Sequence, residues 1–317
     1  MSLADFFQAA PPDVAIEIDH GHVGAARLIW RGGQAVIAAH ATEPLPSGAV
    51  VPSLATLNMP DVPLVAQAIR RVLAQLGTKA TRVALVIPDT VAKVSLLKLE
   101  NIPPKAADLQ EIVRWQVRKS APFPIEQAVV SVTPGAASPE GGHELVVSLA
   151  RADVVQQYEQ ACEMAGAHAG LVDLATFSVI NGILAGQSAP SGDWLLVHVT
   201  DSYLTLAVIR DRSLLFFRNR SEEGEGTLAD LIHQTAMYYE DRLHGGGFAR
   251  VLIAGAARLP SGAETVRRGL EERLGINVES VDPRAAASLV DRIGASPELL
   301  DVLAPLVGML LREQRVA

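Results

Sequence analysis

Residues 13–37, DVAIEIDHGHVGAARLIWRGGQAVI, decide the reading of this chain. Val14 to Ile18 is an apolar run that breaks at the polar turn Asp19-His20-Gly21-His22. The chain resumes from Ala25 to Trp30, turns at Arg31-Gly32-Gly33-Gln34, and resumes again as Ala35-Val36-Ile37. Apolar runs of strand length between such turns predict a three-stranded meander. The pattern returns at residues 193–216, DWLLVHVTDSYLTLAVIRDRSLLF, with turns at His198 to Ser202 and Arg210 to Ser213. Asp19 aligns with His198, and Arg31 with Arg210, at one common offset of 179 residues. One supersecondary unit therefore occurs twice, and two α/β lobes with a cleft between them are expected.

Composition bounds what those lobes can do. The 317 residues are 49% hydrophobic and 20% charged, enough for sizeable cores. A formal charge of −8 and a pI near 5.5 argue against nucleic acid or anionic lipid as a partner, and no basic run offsets them. Cys162 is the one cysteine, which excludes an intrachain disulfide and points to a reducing, cytosolic compartment. Residues 1–8 carry an acid and no basic residue, unlike a signal peptide. Leu299 to Leu311 contains Asp301 and Pro305 and is too short to cross a bilayer. Direct membrane insertion is not expected, so any membrane location would come through a partner.

The meander at 14–40 is followed by a Pro/Ser/Gly-rich crossing loop, a helix from Leu64 to Leu76 stopped by Gly77, and a buried strand at Val83 to Ile87. From Val91 to about Gly170 the pattern reads strand, helix, strand, strand, helix. The division expected is first lobe 1–90, inserted α+β domain 91–170, return to the first lobe 171–190, second lobe 191–302 and C-terminal helix 303–317. In the second lobe Thr227 is read as the cap of a helix running to Leu243.

Several stretches in this order resemble the PilM family of type IV pilus assembly proteins, and more distantly FtsA and the cytoplasmic part of GspL. They are Ile16-Glu17-Ile18-Asp19-His20-Gly21, Ser120-Ala121-Pro122-Phe123-Pro124-Ile125-Glu126, and Ala165-Gly166 with Leu171-Val172-Asp173-Leu174. Arg212 to Arg218 and Ala304 to Arg312 add to them. The resemblance covers nearly the whole chain. It implies an actin-like, ribonuclease-H-like α/β fold of two lobes with a small α+β insertion in the first. It also implies a cytoplasmic platform at the inner membrane, bound to the N-terminal tail of a PilN-type membrane protein and working with other pilus assembly proteins. Whether it forms a homo-oligomer stays open.

The resemblance further implies an ATP and Mg²⁺ site in which the two meander turns clamp the phosphates. Asp19, as the Mg²⁺ carboxylate, and Gly21 fit the first turn, with His22 beside them. In the second turn the expected Asp-hydrophobic-Gly is His198-Val199-Thr200, and the adenosine turn is Gly255-Ala256. Each loss in the second turn costs about 1–3 kcal/mol. Together they weaken binding by about a hundredfold or more. The expectation is a degenerate nucleotide site in a scaffold, with no catalytic residue assigned. An active ATPase or kinase and an FtsA-like membrane tether are the alternatives, the latter short of a basic amphipathic anchor. His20, His22 and His198, with Asp19 and Asp201, offer a weaker reading as a transition-metal cluster. Trp115 and Phe123 are candidates for a groove between insertion and first lobe where the family receives its partner peptide, in a chain only 4% aromatic.

Overall fold

The computed structural model describes residues 11–137, 141–186, 190–221, 228–259, 261–291 and 293–312; residues 1–8 and Thr227 lie outside them. The first meander is β1 (Val14–Ile18), β2 (His22–Arg31) and β3 (Gln34–Pro44). Next come α1 (Val62–Gln75), β4 (Arg82–Ile87), β5 (Ala92–Leu99), α2 (Ala106–Val117), β6 (Ala128–Ala137), β7 (His143–Arg151), α3 (Ala152–Met164), β8 (His168–Leu174) and α4 (Ala175–Ala185). The second meander is β9 (Asp193–Val199), β10 (Tyr203–Arg210) and β11 (Ser213–Ser221). It leads to α5 (Leu228–Leu243), β12 (Arg250–Ala254), α6 (Gly262–Leu274), β13 (Val278–Ser280), β14 (Ser288–Leu289) and α7 (Pro297–Arg312).

The repeat read from the sequence is a repeat in space. The first sheet has the order β14-β3-β2-β1-β4-β8 and the second β11-β10-β9-β12-β13. In each, an antiparallel meander is continued beyond its first strand by two parallel strands. Parallel strands are buried on both faces, which is why β1 and β9 read as nearly unbroken apolar runs. In β1, Val14, Ile16 and Ile18 pack on the side of α1 and α3, while Ala15 faces α7. In β9, Leu195 and Val197 share a core with α5 and α6, and Trp194 and Leu196 share one with α4.

Helices α4 and α7 lie between the lobes and touch through backbone. A Cβ added to Gly182 would stand 3.3 Å from the Gly308 Cα, and one added to Gly308 would overlap the Ser178 carbonyl oxygen. Pro305 sits inside α7 without ending it.

Two boundaries differ from the sequence reading. The separate three-stranded sheet, β5-β7-β6, begins at Ala92 and ends at Arg151, so the insertion is shorter than 91–170. Val154, Tyr158, Ala161 and Cys162 of α3 bury in the first lobe's core, and β8 pairs with β4 along its length. At the other end Ser288 and Leu289 pair with Val36 and Ile37, returning the chain to the first sheet before residue 302, and α7 starts at Pro297 instead of 303.

Period-two alternation divides the insertion's own faces. Ala128, Val130 and Val132 of β6 and Leu145, Val147 and Leu149 of β7 pack with Val113 and Val117 of α2. Val129, Ser131 and Thr133, with Val146, Ser148 and Ala150, therefore face away from α2, toward the first lobe.

Candidate functional site

The turn after β1 and the turn after β9 meet, as the duplication requires. A Cβ on Gly21 would lie 3.6 Å from Asp201 Oδ2. The remaining cavity between the turns measures about 40 Å³ and is walled by Glu17, Asp19, Asp201, Arg258 and Asp301 among others. Burial, and then the neighbouring Glu17 carboxylate, push the Asp19 carboxyl above its ordinary range. Glu17 Oε2, Asp19 Oδ1 and His22 Nε2 are buried without a hydrogen-bond partner. His22 lies 3.6 Å from Glu17 and 3.9 Å from Asp19, and the Arg258 guanidinium reaches its Nδ1 at 2.8 Å.

The groups that would hold a nucleotide are engaged with one another. In the second turn the Thr200 hydroxyl accepts from the backbone N–H of Ser202 at 3.2 Å and of Tyr203 at 3.0 Å. Those amides are turned inward on their own loop. At the turn expected to take adenosine, Gly255 has φ 83°, and a Cβ there would overlap the Val199 carbonyl. The buried Ala256 follows, and the Ala257 N–H donates to Asp301 Oδ2 at 2.7 Å. Burial raises the Asp301 carboxyl, opposed by the backbone N–H groups of Gly255 and Ala257. A cavity of this size holds water molecules, whereas drug-sized ligands need several hundred Å³. Glu17, Asp19, Asp201 and Asp301 stand there with a single guanidinium, that of Arg258. Asp19, Gly21, His198 and Gly255 all stand at the rim of this cleft or in its wall.

The three turn imidazoles do not converge on a metal. His20 Nδ1 is 3.1 Å from the Val50 carbonyl, His22 pairs with Arg258, and His198 is turned inward to Thr176. Among the described residues no group of three or more His, Cys, Asp or Glu side chains is placed to hold a metal ion.

A residue absent from the sequence reading organises the joint between the lobes. Asp89, just past β4, is fully buried. Its carboxylate accepts from the Thr176 N–H at 3.0 Å, from the Thr176 hydroxyl, and from the Thr205 hydroxyl at 2.5 Å. With its only proton committed to Asp89, Thr176 Oγ1 accepts from His198 Nδ1–H at 2.7 Å. Asn219 donates to the Asp89 carbonyl at 2.7 Å. Thr205, His198 and Asn219 belong to the second lobe. The available signal was a carboxylate following the apolar run Val83 to Ile87, and polar residues interrupting apolar runs: Glu17 in β1, Thr205 in β10 and Asp301 in α7.

A larger cavity, about 380 Å³, opens where the insertion meets the first lobe. Its floor is the outward face of β6 and β7, including Ser131 and Ser148; its other wall is β8 and α4, including Phe177 and Asn181, with Arg212 from the second lobe at one side. Asp173 and Arg312 also line it and form an ion pair, and burial, opposed by Arg312, raises the Asp173 carboxyl. Neither aromatic candidate lines this groove. Trp115 is 75% exposed on α2, and Phe123 packs against the insertion's own core. Both belong to the α2 side of the three-stranded sheet, opposite the groove.

No helix among the described residues is long and apolar enough to cross a membrane. The chain is similar over 95% of its length, and 98% of the other, to a chain of a "PilM-PilN type IV pilus biogenesis complex", with a TM-score of 0.80 and 18% identity. The ethanolamine utilization protein EutJ of Carboxydothermus hydrogenoformans superposes at TM-score 0.50, with 11% identity over 96% of this chain and 90% of that one. A Bacteroides thetaiotaomicron protein with "actin-like ATPase fold and unknown function" gives 0.48, with 11% identity over 88% and 94%. The two equivalent sheets, the helix pair between them and the insertion in the first lobe are an actin-like fold. The family model described as "Type IV pilus assembly protein PilM" matches residues 15–244, most of the chain, and the chain belongs to that family.

Proposed function

We propose that this chain is a pilus-assembly scaffold that holds the cytoplasmic N-terminal tail of a PilN-type inner-membrane protein in the groove between insertion and first lobe. The observation that carries the reading is the groove itself: 380 Å³, walled by β6 and β7 on one side and β8 and α4 on the other, part apolar and part polar, while the cleft between the two turns is reduced to about 40 Å³. An extended tail segment suits such a groove because it can bury apolar side chains while serine, asparagine and arginine groups fix its register. The partner supplies the membrane location. Ser148→Trp places an indole on the groove floor without touching the α2 side of the sheet. It is expected to weaken a tail peptide at least about tenfold in calorimetry, 1.4 kcal/mol, while Trp115→Ala and Phe123→Ala change the affinity little. A wild-type protein that binds no tail peptide ends this reading.

The companion reading is that Mg-ATP binds weakly or not at all, with Thr200, Asp301 and Arg258 occupying the groups a nucleotide would use. Titration with Mg-ATP is expected to give a dissociation constant weaker than about 0.1 mM, roughly a hundredfold above a low-micromolar site. A low-micromolar constant lost on Asp19→Ala would overturn it.

A further inference from the structure

We infer that the buried Asp89 carboxylate is the tie that holds the two lobes closed, and that closure of the lobes shapes the partner groove, so that opening of the joint and binding of the tail are coupled. The coupling rests on the groove reading given above; the tie does not.

The geometry is of one hub with spokes to both lobes. Asp89 and Thr176 come from the first lobe, at the ends of β4 and the start of α4. Thr205 on β10 and Asn219 on β11 donate to Asp89 directly, and His198 on β9 donates to it through Thr176. Moving the second lobe away removes these three bonds together. The carboxylate, fully enclosed in the closed form, then loses one of its hydroxyl donors. Losing a hydrogen bond to a buried charged group is among the costlier single losses in a protein.

The same short segments build the groove. Asp89 lies between Ile87 and Ala92, and Thr176 between Leu174 and Phe177; all four flanking residues are groove wall. On β10, Thr205 precedes Ile209, which reaches the groove beside Arg212 and Leu214. No element of the wall from the second lobe can shift without pulling on a strand attached to the hub. A tail that fits the closed groove must favour the closed joint by the ratio of its affinities for the two forms, and the joint must favour the tail by the same factor.

The Thr176 amide donates to Asp89 within the first lobe and is buried beneath the second, so its exchange reports the uncovering of the hub. Its hydrogen exchange would be followed by NMR in the full chain, for wild type, Thr205→Val and Asn219→Ala, with and without a tail peptide at about one hundred times its dissociation constant. Thr205→Val keeps the shape and deletes one donor, and is expected to speed exchange roughly tenfold. Asn219→Ala, at a partly exposed site, gives a smaller increase and serves if the valine variant does not fold. Saturating peptide is expected to slow the amide by about a hundredfold. Unchanged exchange in both variants would overturn the tie. A peptide that binds wild type yet leaves Thr176 exchange unaltered would overturn the coupling. A peptide that binds nothing removes the groove reading and the coupling with it, while the two variants still decide whether Asp89 joins the lobes.

Discussion

Gly308→Ala is expected to lower stability by about 3 kcal/mol or more, although alanine is the better helix former by about 1 kcal/mol. The residue lies in α7 where that helix crosses α4. A Cβ there would overlap the Ser178 carbonyl and stand 2.7 Å from the Gly182 N, both of them backbone atoms that cannot rotate aside. The helices must then separate, and they are the shared wall of both lobes: α7 seals the first sheet and α4 the second. At roughly 2–4 °C per kcal/mol for a chain of this size, the melting temperature should drop by about 10 °C. Gly269→Ala is the control. It lies in α6 with nothing within 4 Å of the added Cβ, so propensity alone acts and a gain of up to about 1 kcal/mol is expected. Urea unfolding of the two variants should give opposite signs. A neutral Gly308→Ala would mean that α4 and α7 do not cross at this register, and the joint built on them would be misplaced.

The duplicated meander was legible because strands buried on both faces leave apolar runs in the sequence, and the turns between them carry glycine, aspartate and histidine. Facing turns followed from the duplication alone. Less visible was which lobe a segment belongs to. The helix at 152–164 follows the insertion's last strand without a break, and only its buried side, Val154, Tyr158 and Cys162, shows that it packs on the first lobe. Ser288-Leu289 is two residues long, too short to carry a period, and its place is set by pairing with β3, about 250 residues earlier in the chain. At the site, the residue types of Asp19, His198 and Thr200 carried the expectation of an altered cleft. What they do was set by contacts no spacing reveals: Thr200 turns onto its own loop, and His198 turns inward to Thr176. Trp115 stood out by rarity, yet the alternation of β6 and β7 places α2 and the groove on opposite faces of the insertion.

Asp19→Asn is expected to stabilise the protein at neutral pH, by about 1–3 kcal/mol, the cost of an unsatisfied buried charged group. The Asp19 carboxyl is raised first by burial and second by Glu17; His22, a backbone N–H and Arg258 offset this only in part. Because the folded value lies above the unfolded one, the folded state binds the extra proton. The contribution to stability is fully present below the ordinary value of 3.8 and is lost as pH rises through the folded value. In wild type the Asp19 and Glu17 carboxyls lie side by side, with Asp19 Oδ1 and Glu17 Oε2 both buried without a hydrogen-bond partner. The asparagine cannot ionise and supplies an N–H donor next to the Glu17 carboxylate. Thermal melts of both proteins across the acid-to-neutral range should show the variant ahead at pH 7 and the gap closing as pH falls toward the carboxylate range. If Asp19→Asn instead loses stability at neutral pH, the carboxylate is satisfied as an anion, and the cleft keeps a use for a cation at the position where the fold would hold Mg²⁺. A stabilised variant, together with a failed Mg-ATP titration, would leave Asp19 as a charge the closed cleft holds at a cost, with the tie at Asp89 outweighing it.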